Sequence, residues 1–77
     1  MFVNRWSYTE VRYFDEHKCW YVTAYDSDHN QCGDSDTAYR KSDAIDYAQA
    51  YLDSNRCDKV VTYTKEDRIH RVITRAA

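Results

Sequence analysis

One segment, KSDAIDYAQAYLDSN at positions 41–55, constrains the fold of this chain most strongly. It is typical of an amphipathic helix, because at about 100° per residue its apolar side chains cover an arc of about 160°. Ser42 is a favourable N-cap, and Asn55 can take the left-handed conformation that ends a helix. A helix with one apolar face needs a second layer to cover that face. The residues expected to pack against that layer are Ala44, Ile45, Tyr47, Ala48, Tyr51 and Leu52.

The second layer is predicted from four segments rich in β-branched and aromatic residues, at positions 5–14, 19–25, 59–64 and 68–75. The short links DEHK and KED suit two hairpins. The predicted fold class is therefore α+β, with a four-stranded antiparallel sheet, one helix packed on one of its faces, and the order ββαββ. The pattern also allows a short extra strand at 38–40.

Alternation along the second predicted strand, CWYVTAY, indicates which of its residues face the helix. Trp20, Val22 and Ala24 share one face of the strand. The other face carries two tyrosines, so we expect part of the solvent side of the sheet to be aromatic. The predicted core residues are Trp20, Val22, Ile45, Leu52, Val61 and Ile73.

The length of 77 residues predicts a single domain, spanning 1–77. No apolar run approaches the roughly 18–20 residues of a membrane span, and the first residues lack the apolar core of a secretory signal. Three cysteines, an odd number, do not suit a disulfide framework. We therefore expect a cytoplasmic protein with reduced thiols, in which Cys19 and Cys57 are buried. The reactivity of Cys32 is left open, since it depends on its surroundings.

The stretch DSDHNQCGDSD at 26–36 contains four aspartates and the only glycine of the chain. A calcium loop is one interpretation, but this register lacks the glycine at position 6 and the glutamate at position 12 that such loops use. A zinc site is another, although its first two ligands would stand only two residues apart on a strand. Turn formation explains the same composition without a metal. We predict no metal and no cofactor. The residues weighed as ligands are Asp26, Asp28, Asn30 and Asp34 for calcium, and His17, Cys19, His29 and Cys32 for zinc.

Catalysis is not predicted for this chain. The sequence contains no nucleophile elbow, no metal-hydrolase helix and no glycine-rich phosphate loop. A domain of this size also has little volume for a substrate pocket of about 300 Å³ or more.

Nucleic-acid binding through the sheet is one functional hypothesis. Three arginines lie in the last predicted hairpin, and two more lie among Trp6, Tyr8 and Tyr13 in the first predicted strand. Arginines interleaved with aromatic residues on a sheet can stack bases and meet phosphates. The order W-x-V, a loop, then DAI-x-x-A-x-x-YL is similar to small sheet-and-helix DNA-binding domains of the integrase arm-binding type, which implies DNA binding by the sheet. The net charge of −2 opposes it, because counterion release would be weak. The residues of this alternative face are Arg5, Arg12, Arg68, Arg71 and Arg75.

An acidic surface that binds a basic protein partner is the hypothesis we favour. Aspartates spaced along a loop and a helix can imitate phosphates and steer a basic partner towards the surface. Tyrosine is enriched at protein interfaces, because it offers a large contact area with few rotatable bonds. The predicted partner-binding residues are Asp26, Asp28, Asp34, Asp36, Asp43, Asp46, Asp53 and Tyr39.

The character of the whole chain resembles a class of proteins. A compact, acidic, tyrosine-rich domain with a sheet, one helix and no catalytic motif looks like the small phage-encoded inhibitors of bacterial defence, anti-CRISPR proteins in particular. The resemblance covers all 77 residues but includes no shared motif. It implies a non-enzymatic inhibitor, monomeric or homodimeric, in the host bacterial cytoplasm. Such a protein binds a CRISPR effector complex or nuclease and blocks DNA recognition or cleavage. The basic segment from position 56 onward departs from a pure DNA mimic.

Overall fold

The computed structural model describes residues 7–54 and 56–74, with the backbone alone at positions 33 and 34. The chain forms an α+β fold of one helix and one mixed sheet. In the described residues the sheet has five strands, in the order β3-β2-β1-β4-β5. The elements in chain order are β1 (Tyr8–Phe14), β2 (Cys19–Tyr25), β3 (Gln31–Ala38), α1 (Lys41–Asp53), β4 (Lys59–Tyr63) and β5 (Ile69–Thr74).

Two features of the sheet correct the predicted four-stranded antiparallel arrangement. The first is β3, which occupies most of the stretch expected to be an acidic loop and pairs antiparallel with β2. Asp and Gly are depleted in strands, so QCGDSDTA gives little strand signal, and its pairing with β2 overrides that preference. The possible strand at 38–40 overlaps only the last residue of β3.

The second feature is that β1 and β4 pair in parallel. β1, β2 and β3 are joined by two hairpins, so β3 runs in the same direction as β1. The helix then carries the chain back along the sheet, and β4 starts at the same end as β1, where Lys59 pairs with Tyr8. The connection is therefore a strand–helix–strand crossover, the kind that parallel strands require.

Helix α1 begins one residue before the predicted cap. Arg40 is the N-cap in an extended conformation and makes no side-chain capping hydrogen bond, so the prediction of Ser42 as N-cap is wrong. The helix ends at Asp53, and the backbone N–H of Ser54 donates to the carbonyl oxygen of Ala50 at 3.0 Å. Asn55, expected to end the helix, lies outside the described residues.

The core lies between the helix and strands β1 to β4. Trp20, Val22 and Leu52 are confirmed as core residues, and Ile45 and Ile73 pack against the core while half-buried. Val61 is buried too, but on the other side of the sheet, where it pairs with Glu10. The core cluster consists of Val11, Trp20, Val22, Ala44, Ala48, Leu52, Cys57 and Val60.

Two tyrosines of the helix have different environments. Tyr51 packs against the core as expected, whereas Tyr47 is about half exposed, so the prediction that both pack onto the sheet holds for only one of them. No helix in the described part of the chain is long and apolar enough to cross a membrane.

Candidate functional site

The side of the sheet opposite the helix, hereafter the open face, presents an aromatic surface. Alternation along β1, β2 and β4 directs one set of side chains into the core and the other set outward. The expected aromatic solvent side is confirmed, since Tyr21 and Tyr25 lie on the face opposite Trp20 and Val22. The residues of the open face are Tyr8, Glu10, Arg12 and Phe14 of β1, Tyr21, Thr23 and Tyr25 of β2, Val61 and Tyr63 of β4, and Ile69 and Val72 of β5.

The aromatic rings of the open face pack in pairs across neighbouring strands. Tyr8 and Tyr25 are stacked, with ring centroids 5.2 Å apart and an interplanar angle of 13°. Phe14 and Tyr21 meet edge to face, with centroids 4.6 Å apart. Such pairs contribute about 0.5–1.5 kcal/mol beyond the area they bury, so the rings are held in position before any partner arrives.

Glu10 is the polar centre of this aromatic surface. It is a buried carboxylate in the middle strand, and Nε of Arg12 donates to its Oε1 at 2.8 Å. The hydroxyl of Tyr63 donates to its Oε2 at 3.1 Å. The guanidinium of Arg12 also stacks 3.8 Å from the centroid of the Tyr63 ring and contacts Asp67. Both oxygens of Glu10 are therefore satisfied within the domain.

This arrangement shifts the pKa values of the groups around Glu10. Burial, followed by the charge of Glu10, raises the pKa of the Tyr63 and Tyr25 hydroxyls above their ordinary value. The hydrogen bond with Glu10 raises the pKa of Arg12 further above its already high value. The tyrosines thus stay neutral and Arg12 stays charged at any physiological pH.

Two shallow cavities meet at Glu10. One, of about 230 Å³, lies over β1 and β2 between Phe14, Tyr21 and Tyr25. The other, of about 410 Å³, lies over β1, β4 and β5 and is lined by Tyr8, Val61, Tyr63, Ile69 and Val72, among others. Its outer apolar wall is well exposed, since 63% of Ile69 and 52% of Val72 are accessible to solvent. Exposed apolar side chains grouped in this way are typical of a binding surface.

Of the predicted acidic residues in and after the β2–β3 connection, Asp26 has a structural role. One Oδ oxygen of Asp26 accepts the backbone N–H groups of Asp28 at 2.9 Å and Asn30 at 3.0 Å. His29 has a φ of 66°, a left-handed value that the turn requires. Turn formation therefore explains Asp26, while Asp28 is exposed and the side chain of Asp34 lies outside the described part.

The other predicted aspartates do not gather at this turn. Asp36 is half-buried and accepts a hydrogen bond from the hydroxyl of Tyr51. Asp53, at the end of the helix, accepts a hydrogen bond from the side-chain amide of Gln49 at 3.0 Å. Asp43 and Asp46 are exposed near the start of the helix, next to the end of β3 that pairs with Trp20. The turn lies at the opposite end of β2, about 20 Å away for a seven-residue strand.

The remaining predicted residues are scattered. Tyr39 is strongly exposed between β3 and the helix, away from the open face. Among the arginines of the predicted nucleic-acid face, Arg12 lies on the open face but forms an ion pair with Glu10. Arg71 lies on the helix side of the sheet, because it pairs with the core-facing Thr62. Arg68 is exposed in the β4–β5 turn, and Arg5 and Arg75 lie outside the described residues.

Metal and thiol chemistry find little support in the geometry. Within residues 7–54 and 56–74, no three His, Cys, Asp or Glu side chains come close enough to hold a metal ion. Cys19 and Cys57 are free and buried, as expected. Burial, with a smaller contribution from Asp26, raises the pKa of the Cys32 thiol, which disfavours the reactive thiolate.

Comparison of this chain with protein-family models, with curated proteins and with solved structures gives no match. Only some residues of the open face could be predicted from the sequence. Its tyrosines on β2 followed from alternation, but Glu10, Phe14 and Tyr63 were not singled out. They are identified by the pairing register of β1 with its two neighbours, which places Glu10 between Thr23 of β2 and Val61 of β4.

Proposed function

We propose that this chain is a non-enzymatic protein-binding domain whose interface is the open face of the sheet. The observation that carries the proposal is that one side of the sheet is covered by the helix while the other displays five aromatic rings, on Tyr8, Phe14, Tyr21, Tyr25 and Tyr63. Aromatic residues with a polar rim are characteristic of the centre of a protein interface. Their cross-strand pairing also reduces the entropy lost on binding.

The specific form of the proposal is an inhibitor that acts in the bacterial cytoplasm on a CRISPR effector complex or nuclease. It rests on the resemblance to small phage-encoded anti-CRISPR proteins. The distribution of aspartates changes the surface we propose, because Asp26 and Asp36 are used inside the domain and Asp43 and Asp46 stand at a distance from the turn. The exposed aspartates, Asp28, Asp43 and Asp46, contribute to the steering of a basic partner, and the aromatic rings form the centre of the interface.

Single-stranded nucleic acid is the second candidate ligand. Exposed aromatic rings on a sheet are the feature that RNA-binding sheets use to stack bases. Two observations weigh against it here: a carboxylate, Glu10, stands at the centre of the surface, and Arg12 is already bound to it. Lys59, whose ammonium lies 5.8 Å from the ring centroid of Tyr8, is the cation best placed to meet a phosphate.

The test compares three immobilised forms of the chain in a lysate of bacteria that carry a CRISPR system, with and without nuclease treatment. The open-face variant combines Phe14→Ser with Val72→Ser, at side chains that are 45% and 52% exposed. The acidic variant combines Asp43→Lys with Asp46→Lys. We expect the parent and the acidic variant to retain one defined effector complex and to inhibit its DNA cleavage, and the open-face variant to lose both activities while keeping its circular dichroism spectrum.

Two results would overturn this proposal. If only the acidic variant loses the complex, the interface is the acidic helix surface. If the parent retains nucleic acid that nuclease treatment removes, and no protein remains, the domain is a nucleic-acid binder. Salt dependence of oligonucleotide binding then measures how many phosphates it contacts.

A further inference from the structure

The two edges of the sheet differ in a way that makes one of them suited to a partner strand. β3, at one edge, contains two aspartates and a glycine, residues that discourage further strand pairing, whereas both edge strands have a register shift relative to their inner neighbour. β5, at the other edge, is a six-residue strand, IHRVIT, with no acidic residue. Within the described residues, β5 has no neighbour on its outer side. Alternate residues of an antiparallel edge strand direct their N–H and C=O groups outward, so β5 offers unpaired backbone groups to a partner.

The side chains of β5 divide into two chemically distinct rows. On the open face, Ile69 and Val72 form the outer wall of the 410 Å³ cavity. On the helix side lies a basic group: Arg71 is exposed, and Nδ1 of His70 lies 3.1 Å from the ammonium of Lys41. In the described part of the chain, no carboxylate forms an ion pair with Arg71 or Lys41. The edge is therefore apolar towards one layer and cationic towards the other.

From this arrangement we infer that β5 binds an extended segment of a partner protein by strand addition. The segment carries apolar side chains at alternate positions and acidic side chains between them. A strand added about 4.8 Å from β5 places its apolar side chains beside Ile69 and Val72 and its carboxylates beside His70, Arg71 and Lys41. Charge complementarity selects this occupant, because only an acidic row neutralises the cationic side of the edge. The inference rests on the proposed function, since the apolar row extends the open face.

The experiment uses the full chain, labelled with ¹⁵N, and a capped peptide of about eight residues in which valine and glutamate alternate. Hydrogen exchange of the β5 amides is measured with and without the peptide. We expect the outward-directed amides of β5 to become protected, whereas the amides of the β3 edge remain unchanged. A peptide N-methylated at alternate residues, and a peptide with lysine in place of glutamate, should each bind at least about tenfold more weakly.

Matched variants test the charge argument. Arg71→Glu should weaken peptide binding by about 3- to 10-fold, the range expected for reversing one surface charge. Lys18→Glu changes the net charge by the same amount in the β1–β2 turn, two strands away from β5, and should leave binding within about twofold of the parent.

Several results would overturn the inference. Equal binding of the N-methylated peptide excludes backbone pairing, and equal binding of the lysine peptide excludes the acidic row. If the β5 amides of the free chain become more protected as the protein concentration rises, and sedimentation shows a dimer, the edge binds a second copy of the chain. Protection in the dilute monomer shows that the chain covers its own edge. The two proposals can fail separately. If Phe14→Ser with Val72→Ser loses the effector complex but the peptide does not protect the β5 amides, the proposed function stands and only strand addition is rejected.

Discussion

The carboxylate of Glu10 allows the energetics of the open face to be tested directly. Only 12% of its side chain is exposed, and it accepts hydrogen bonds from Arg12 and Tyr63. Glu10→Gln keeps the shape of the side chain and removes its charge. The amide nitrogen can still satisfy Tyr63 by donating to its hydroxyl oxygen, and the amide oxygen can still accept from Nε of Arg12. The principal loss is therefore the negative charge that strengthens the hydrogen bond from Arg12.

The expected size of the effect follows from these contacts. Hydrogen bonds to charged groups contribute about 1.5–3 kcal/mol, against about 0.5–1.5 kcal/mol for neutral pairs. Glu10→Gln loses the difference, about 1–1.5 kcal/mol, because Arg12 also keeps its contacts with Asp67 and the Tyr63 ring. A domain of this length has a free energy of unfolding of roughly 4–12 kcal/mol, so the variant remains folded. Its melting temperature should fall by about 4–12 °C.

The assay is urea unfolding, with Asp15→Asn as the matched control. Asp15 accepts from the ammonium of Lys18 at 3.0 Å, close to the 2.8 Å of the Arg12–Glu10 pair. The side chain of Asp15 is 83% exposed, however, and such pairs contribute little. We expect Asp15→Asn to stay within about 0.5 kcal/mol of the parent. Should Glu10→Gln change the free energy of unfolding no more than Asp15→Asn does, burial would not strengthen the Glu10 pair and the reasoning would be refuted.

Three further predictions concern single side chains, each measured by chemical unfolding. Tyr51→Phe removes the hydrogen bond to Asp36 and should lower the free energy of unfolding by about 1–2 kcal/mol. The control, Tyr47→Phe, changes a half-exposed residue and should lower it by less than about 0.5 kcal/mol. Equal losses would mean that the bond to Asp36 contributes nothing. Thr9→Val should stabilise the domain by up to about 1 kcal/mol, because the Thr9 hydroxyl is buried without a partner in the described residues, and a destabilised variant would contradict this. Burial and the nearby carboxylate of Glu10 raise the pKa of Tyr63 above its ordinary value of 10.0. The stability that this group contributes is therefore fully present below pH 10 and is lost as the pH rises through the folded-state pKa. Tyr63→Phe should reduce this alkaline loss, and an unchanged dependence of the free energy of unfolding on pH would contradict the prediction.

Local patterns predicted much of the fold. The helix was expected at 41–55 and occupies Lys41–Asp53, and the two faces of β2 follow the alternation of CWYVTAY. Local patterns did not determine which of two adjacent valines in β4 faces the core. In KVVTY both valines suit a strand, and only the pairing of Val61 with Glu10 shows that Val60 is the one in the core. A shift of one residue exchanges the two faces of a strand, so alternation without a register leaves such a pair ambiguous.

Long-range pairing was the part that local patterns could not supply. QCGDSDTA has the composition of a turn, and it becomes β3 because β2 offers an unpaired edge beside it. The parallel pairing of β1 with β4 joins segments about 50 residues apart, and nothing within either segment encodes its direction relative to the other. The candidate site depends on that pairing, since it brings Tyr63 to Glu10.

The parallel pairing of β1 with β4 has a consequence for how this protein is made. β1 is the middle strand of the finished sheet, yet it is synthesised about 50 residues before the strand that covers its second side. At 5–20 residues per second, a nascent chain presents β1 as a bare edge for about 3–10 s. The exposed rim during that interval includes Val11, a residue with no accessible surface once folding is complete. A ribosome that pauses before the codon for Lys59 therefore prolongs the interval in which neighbouring nascent chains can aggregate through this strand.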